Sequence, residues 1–485
     1  MHMNPSAALA APDKLYIDGA FVAAVSGDTF SVVDPSTEQI IARVADGDQP
    51  EVEAALAAAE RSASSWAATA PRARADILMR AFDSMMRNRE ELARLIAIEN
   101  GKALPDARSE VEYAAEFFRW YAEEIPRLQG SIQRSPSGRY NILADYQPAG
   151  VAVLVTPWNF PAAMATRKIA PALAAGCTAI LKPAKETPLT ALAIARILHD
   201  AGLPAGVLNV LTTSRAQTTV SRLLSAPSVR VLSFTGSTEV GRTLLREAAA
   251  NVVKPAMELG GNAPFIVLEG SDIDAAVEGA IAAKLRNGGQ ACTAANRFYV
   301  HRSLHDEFAE RLAAHFAGLR VGVGYDEKSD LGPLVNRASV DKVASLVTDA
   351  VERGARVLTP DRPLPDAGFF YPPTVLTGVR PDSAILREEI FGPVAAIVAF
   401  DDPDEAIRLA NGTEYGLVSY VFSDDLAAGL ATAKRLESGM VGLNRGVVSD
   451  AAAPFGGVKQ SGLGREGAHE GILEYLEQKY ISVDW

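Results

Sequence analysis

Val151-Ala-Val-Leu-Val155, Thr178-Ala-Ile-Leu-Lys182 and Val229-Arg-Val-Leu-Ser-Phe234 decide how this chain folds. Each is a short apolar run closed by a turn. The stretches Ala162 to Ala175 and Leu189 to Leu198 between them carry a helical pattern. Val207-Leu-Asn-Val-Leu211 adds a strand and a helical segment follows it, with a further helix at Glu239 to Ala250 and a strand at Pro264-Phe-Ile-Val-Leu268. Regular alternation of strand and helix predicts a doubly wound α/β domain with a mostly parallel sheet. Such sheets bind ligands outside the carboxyl ends of their strands.

Working outward, a second alternating region runs from about Pro264 to Val441. Strands are expected at Phe298 to Val300 and Ala395 to Phe400, and helices at His305 to Phe316 and Val340 to Val351. Upstream, Asp48 to Asn100 is Ala-rich and helical in period. Leu78, Ala81, Phe82, Met85 and Met86 form an apolar stripe that reads as core packing. No internal repeat or low-complexity linker breaks the chain. At 485 residues it is too long for one core, so two or three domains are expected.

Composition excludes several classes. A formal charge of −12 argues against nucleic acid or an anionic membrane as the main partner. No apolar run reaches membrane-spanning length. Met1 to Pro12 lacks a basic start and a long apolar core, so it does not read as a signal peptide. Two cysteines argue against a structural disulfide framework, and a cytoplasmic location is expected. The six histidines are scattered, and no cluster has metal-ligand spacing.

Four segments carry candidate chemistry. Cys292 closes Asn287-Gly-Gly-Gln-Ala-Cys292, a turn in which a thiol can be exposed with a lowered pKa. It reads either as a nucleophile or as a buried structural cysteine. Cys177 leads into an apolar strand and reads as packing. Glu258, in Met257-Glu-Leu-Gly-Gly261 between a helical segment and an apolar strand, is a candidate base or a solvated helix-end carboxylate. Asn159, in Thr156-Pro-Trp-Asn-Phe-Pro161, is held by two prolines and offers an amide donor for an oxyanion or for an Asx turn. Phe234-Thr-Gly-Ser-Thr-Glu-Val-Gly241 suits a phosphate at a helix N-terminus or a plain N-cap by Ser237.

Taken in order, Thr156-Pro-Trp-Asn-Phe-Pro161, Lys182-Pro-Ala184, Phe234-Thr-Gly-Ser237, Glu258-Leu-Gly-Gly261, Gly289-Gln-Ala-Cys292, Glu388-Glu-Ile-Phe-Gly-Pro393 and Pro454-Phe-Gly-Gly457 resemble the aldehyde dehydrogenase superfamily. The likeness runs from about Leu15 to the end. Within that superfamily, Ala163-Met-Ala-Thr-Arg-Lys168, Lys284-Leu-Arg-Asn287, Pro454 to Gly462 and Gly464-Arg-Glu-Gly467 most resemble succinate-semialdehyde dehydrogenases.

The resemblance implies a mechanism. Cys292 attacks the aldehyde, Asn159 and the Cys292 N–H stabilise the oxyanion, and Glu258 activates water against the thioester. NADP or NAD is the implied hydride acceptor, lined by Thr156, Pro157, Trp158, Lys182, Ala184, Lys185, Gly236, Ser237, Gly241, Leu259, Glu389 and Phe391. Arg167, Arg286 and Ser449 match the residues that hold a substrate carboxylate, for which a planar guanidinium fork is suited. Either arginine could instead pair with a structural acid. Glutarate semialdehyde, or an aldehyde without a carboxylate, is the alternative substrate. A non-catalytic structural member is the alternative of another class, disfavoured by the presence of Cys292, Glu258 and Asn159. No metal is implied.

Three positions depart from the family pattern. Lys185 replaces a glutamate that binds ribose hydroxyls in NAD-preferring members, which points to NADP or dual use. Ala294 replaces a second cysteine, so no disulfide switch is expected. Arg445 replaces a familiar glutamate and adds a cation to the region of Ser449. The resemblance also implies a dinucleotide-binding domain over residues 1–127 and 147–257 and a catalytic domain over 258–459. Oligomerisation segments at 128–146 and 460–485 complete it, so a homodimer or homotetramer is expected.

Overall fold

Five parallel strands form the middle of the first sheet of this computed structural model, in the order Leu208–Val210, Thr178–Lys182, Val151–Val155, Val229–Thr235 and Lys254–Glu258. The structure describes residues 12–485, so the reading of the amino-terminal stretch lies, apart from Pro12, outside the described residues. Val151–Val155 and Thr178–Lys182 are buried at every position. That explains their unbroken apolar sequences, because helices cover both faces of a parallel sheet.

The helix Pro161–Ala175, rich in alanine, is buried at all fifteen positions. It packs between the sheet and the helix Leu104–Glu124. Small side chains permit that close layering. Leu78, Ala81 and Met85 are buried in the same core, with Phe82 and Met86 half-buried against it. On the other side of the fold, Ala216–Leu224 and Thr238–Ala250 supply the crossover helices.

One strand was not legible in the alternation. Lys254–Glu258 follows the helix Thr238–Ala250 and pairs with Val229–Thr235. Glu258 is therefore the last residue of a strand, with one neighbour from the preceding strand and the other from distant chain. Gly462–Leu463 returns antiparallel on its far edge, placing Gly462 opposite Glu258. Leu15–Ile17 and Ala20–Val22 close the opposite edge.

The second sheet has the order Arg356–Val357, Thr374–Thr377, Val394–Phe400, Ala295–His301, Ala263–Val267, Val418–Phe422 and Met440–Leu443. All its pairings are parallel except that of Arg356–Val357. The expected strands and helices of this region appear, each extended by one to three residues at its ends. A separate antiparallel sheet joins Ser131–Arg134, Asn141–Pro148 and Leu476–Val483. The outer strand Ser131–Arg134 is exposed throughout. Among the described residues no helix is long and apolar enough to cross a membrane.

Candidate active site

Strand Val151–Val155 lies between Thr178–Lys182 and Val229–Thr235. The chain leaves Val151–Val155 toward Thr178–Lys182 but leaves Val229–Thr235 the other way, toward Lys254–Glu258, so the loops at their carboxyl ends part and leave a crevice. Thr156 to Asn159 leave the central strand, Lys182 ends one neighbour, and Gly236 and Ser237 follow the other. Ser237 caps the helix Thr238–Ala250, its hydroxyl accepting from the Val240 N–H at 3.4 Å. A Cβ on Gly241 would stand 2.4 Å from Leu259 Cδ2, so a bare backbone there lets helix and Leu259 turn close together.

These residues fit a nicotinamide dinucleotide. The helix N-terminus presents N–H groups to a diphosphate. Lys182 is buried, and burial brings its ammonium down to about 8 against the opposing pull of Glu186. Ala184 is buried, whereas Lys185 is exposed and Glu186 half-buried. When bound, the coenzyme supplies a hydride acceptor.

A cavity of about 270 Å³ opens from this crevice toward the second sheet. Its walls are Pro157, Trp158, Asn159, Met164, Thr235, Gly236, Ser237, Leu259, Gly260, Cys292, Ser339, Lys342, Glu389, Ile390 and Phe391. The Trp158 and Phe391 rings meet edge to face at 5.5 Å. Phe391 holds φ 57°, a left-handed conformation a bulky residue rarely adopts. Glu389 accepts from the Gly261 N–H at 3.2 Å, and burial raises its carboxyl to about 7. Of the coenzyme residues expected from sequence, Thr156, Lys182, Ala184, Lys185 and Gly241 lie outside these walls. Ser339 and Lys342 were missed. They sit on the amphipathic helix Arg337–Glu352, where nothing local distinguishes them from surface residues.

Cys292 follows the short helical turn Arg286–Gly289, in which Asn287 has φ 52°. The carbonyl of Cys292 packs so closely on Gly261 that a Cβ there would lie 2.5 Å away. The side chain is half-buried at the cavity wall. The lowered pKa that such a loop allows is not found. Burial pushes the thiol up to about 12, Arg167 and Arg286 pull it down, and Glu389 and Glu258 push it up. Cys177 is fully buried, donates to the Tyr475 carbonyl at 3.2 Å, and is raised to about 11 by burial. Asn159 shares the Cys292 cavity and donates one amide hydrogen to the Gln290 carbonyl at 3.1 Å.

Glu258 is buried just outside the cavity walls. Burial holds its carboxyl well above the usual range, with Glu466 adding to the rise and Arg167 and Lys168 opposing it. It approaches Gly456 so closely that a Cβ there would meet Oε1 at 2.9 Å. Glu466 bridges two cations, Arg167 Nε at 2.6 Å and Lys168 Nζ at 2.5 Å, and these hold it ionised below its ordinary pKa. Glu466 and Lys168 both fall within stretches that marked the resemblance, but sequence reading assigned them no role.

The three carboxylate-binding candidates divide. Arg286 Nη1 donates to Ser449 Oγ at 3.0 Å, and its guanidinium lies 4.7 Å from the Phe160 ring centroid. These two residues line a cavity of about 490 Å³ that also includes Tyr113. Arg167 is fully buried, paired with Glu466 and stacked 4.2 Å over Phe455. Its Nη2 faces the sulfur of Met164, a wall of the Cys292 cavity. Arg445 is exposed and does not line the cavities that contain Arg286.

A cavity that joins a thiol and an amide to a crevice fit for a dinucleotide suits a coenzyme-dependent oxidoreductase. Residues 21–481 match the aldehyde dehydrogenase family, and the chain belongs to it as an NAD(P)-dependent enzyme that oxidises aldehydes. It is 51% identical to a succinate-semialdehyde dehydrogenase of Paenarthrobacter nicotinovorans, over 92% of this chain and 99% of that one. It is 46% identical to a glutarate-semialdehyde dehydrogenase of Pseudomonas aeruginosa, over 97% of each. The crystal structure of an E. coli NADP-dependent enzyme superposes with a TM-score of 0.96 at 44% identity, covering 98% of both chains.

Proposed function

We propose that the protein oxidises succinate semialdehyde to succinate, with Cys292 as nucleophile, Asn159 as oxyanion donor and Glu258 as base. The Cys292 thiol gives up its proton to solvent, the thiolate adds to the aldehyde carbon, and the carbonyl oxygen takes the negative charge. The Asn159 amide and the Cys292 N–H, which has no other acceptor among the described residues, stabilise that charge. Loss of hydride from the carbon leaves a thioester. Glu258 takes a proton from water, the hydroxide adds to the thioester carbon, and the Cys292 thiolate leaves with the acid as product. A carboxyl raised by burial suits a base that works near neutral pH.

The observation that carries the substrate reading is the pairing of Arg286 with Ser449 on the wall of the cavity of about 490 Å³, beside Tyr113. Arg167, already paired with Glu466, adds positive charge near Cys292 but is not a free fork. Arg286 is already joined to Ser449, and together they suit a carboxylate a few bonds from the aldehyde. Glutarate semialdehyde is the second reading, favoured by the Pseudomonas relative.

We also propose NADP or dual coenzyme use through Lys185, a cytoplasmic location, and a homodimer or homotetramer built on the exposed strand Ser131–Arg134. The domain boundaries at 127, 147, 258 and 460 belong to the same reading.

Steady-state kinetics test it. Arg286→Leu is expected to lower kcat/KM for succinate semialdehyde by about 10- to 100-fold, the worth of a charged hydrogen bond. Propanal turnover should change little. Equal losses for both aldehydes, or wild-type protein that prefers propanal, would remove the carboxylate from the assignment.

A further inference from the structure

The turn that carries Trp158 and Asn159 is held from behind by two residues, Asn100 and Lys102, of the stretch Glu99-Asn100-Gly101-Lys102. Glu99 accepts from the Leu189 and Thr190 N–H groups, each at 2.9 Å, at the start of the helix Pro188–Asp200. Asn100 Nδ2 donates to the Trp158 carbonyl at 2.9 Å. Lys102 Nζ donates to the Asn159 carbonyl at 2.8 Å and to Glu110 Oε2. Its ammonium also lies 4.0 Å from the Phe160 ring centroid. Glu110 in turn accepts from the Ala162 N–H at 2.8 Å, at the start of the helix Pro161–Ala175.

A buried lysine–glutamate pair is a poor device for stability. Removing two charges from water costs several kcal/mol, and apolar residues of the same volume often serve as well or better. This pair is completely buried, yet its ammonium is spent on a single carbonyl beside the reaction site. The same carbonyl accepts a second donor, Asn287 Nδ2 at 2.8 Å, from the segment that leads to Cys292. Asn287 Nδ2 also reaches the Gln290 carbonyl, the acceptor of the Asn159 amide. The Asn159 peptide is thus clamped between the helical region and the nucleophile loop, and its side chain has one rigid origin.

We propose that Lys102, anchored by Glu110, is a positioning residue for Asn159, fixing the backbone from which its amide reaches the oxyanion. The inference rests on Asn159 being the oxyanion donor, and the test separates the two claims. A donor displaced by a fraction of an ångström loses much of its value to a transition state, whereas it still fills its place in the fold.

The experiment is a double-mutant cycle read by the single-turnover rate of coenzyme reduction in stopped flow. Lys102→Met/Glu110→Gln removes both charges together and retains a side-chain carbonyl for the Ala162 N–H. Asn159→Ala should slow reduction about 100-fold, and the Lys102/Glu110 variant about tenfold, with coenzyme Kd within about twofold of wild type. The combined variant should be no slower than Asn159→Ala, because a clamp without its donor has nothing to position. Lys102→Gln/Glu110→Gln, also neutral but with an amide in place of the methionine, runs through the same cycle if the first pair does not fold. A wild-type rate in either clamp variant, or losses that multiply in the Asn159→Ala background, would overturn the proposal. A wild-type rate in Asn159→Ala alone would instead overturn the reading of Asn159.

Discussion

Replacing Glu466 by glutamine tests how the buried charges around Glu258 set the enzyme's pH response. Glu466 bridges Arg167 Nε and Lys168 Nζ, and all of these groups are buried. The substitution leaves two buried cations without their counter-charge, a loss of about 3–5 kcal/mol. In a chain of this size that corresponds to a fall in thermal midpoint on the order of 5 °C. The effect on Glu258 has a definite sign. Glu466 raises the Glu258 carboxyl, while Arg167 and Lys168 lower it. Removing the negative charge and freeing both positive ones therefore favours ionised Glu258. Neighbouring charges of this kind move a carboxyl by about 1–3 pH units. The base form then persists to lower pH, so the pH midpoint of thioester hydrolysis should fall by about 1–2 units. Hydrolysis can be followed with p-nitrophenyl acetate, which acylates Cys292 without a redox step. A midpoint that stays put or rises, in a variant that melts lower as expected, would refute the argument that this charge cluster controls the base.

Other outcomes follow from single groups. With the Cys292 thiol raised to about 12, alkylation of the coenzyme-free protein by iodoacetamide should climb about tenfold per pH unit from pH 8 to 10; a plateau below pH 9 would contradict it. Lys182, brought down to about 8, loses its charge as pH rises through that value, so coenzyme affinity should weaken above pH 8 in fluorescence titrations. Lys182→Ala should bind weakly at every pH and lose that dependence. Lys185→Glu should shift the NADP to NAD ratio of kcat/KM toward NAD by about tenfold, the scale of one charge–phosphate contact; an unchanged ratio would assign coenzyme choice to other residues.

The alternation of buried runs and helices between Val151 and Leu268 was legible because a parallel sheet covered on both faces demands continuous apolar strands. Lys254–Glu258 was not, since it opens on Lys254 and Pro255, ends on a carboxylate and gains its outer partner, Gly462–Leu463, from far along the chain. At the site, Cys292, Asn159 and Glu258 stood in turn-rich segments that advertised themselves. Ser339 and Lys342 did not, because they lie on an ordinary helix that happens to face the cavity. Lys102 and Glu110 gave no signal of pairing either, since a lysine eight residues from a glutamate looks like a solvated face.

The sequence by itself determined the doubly wound architecture, the family and the order of the chemical groups along the chain, all of which depend on local pattern and nearby glycines and prolines. Only the tertiary structure decided the protonation of those groups. The loop of Cys292 left open an exposed, acidic thiol or a buried one, and the thiol is raised. Burial and four charged residues, none within five positions of it, set that value. Arg167 reads as a substrate ligand, yet it carries Glu466 on its Nε from about three hundred residues away. Electrostatic energy depends on distance in space and on exclusion of water, and neither quantity is written in neighbouring residues.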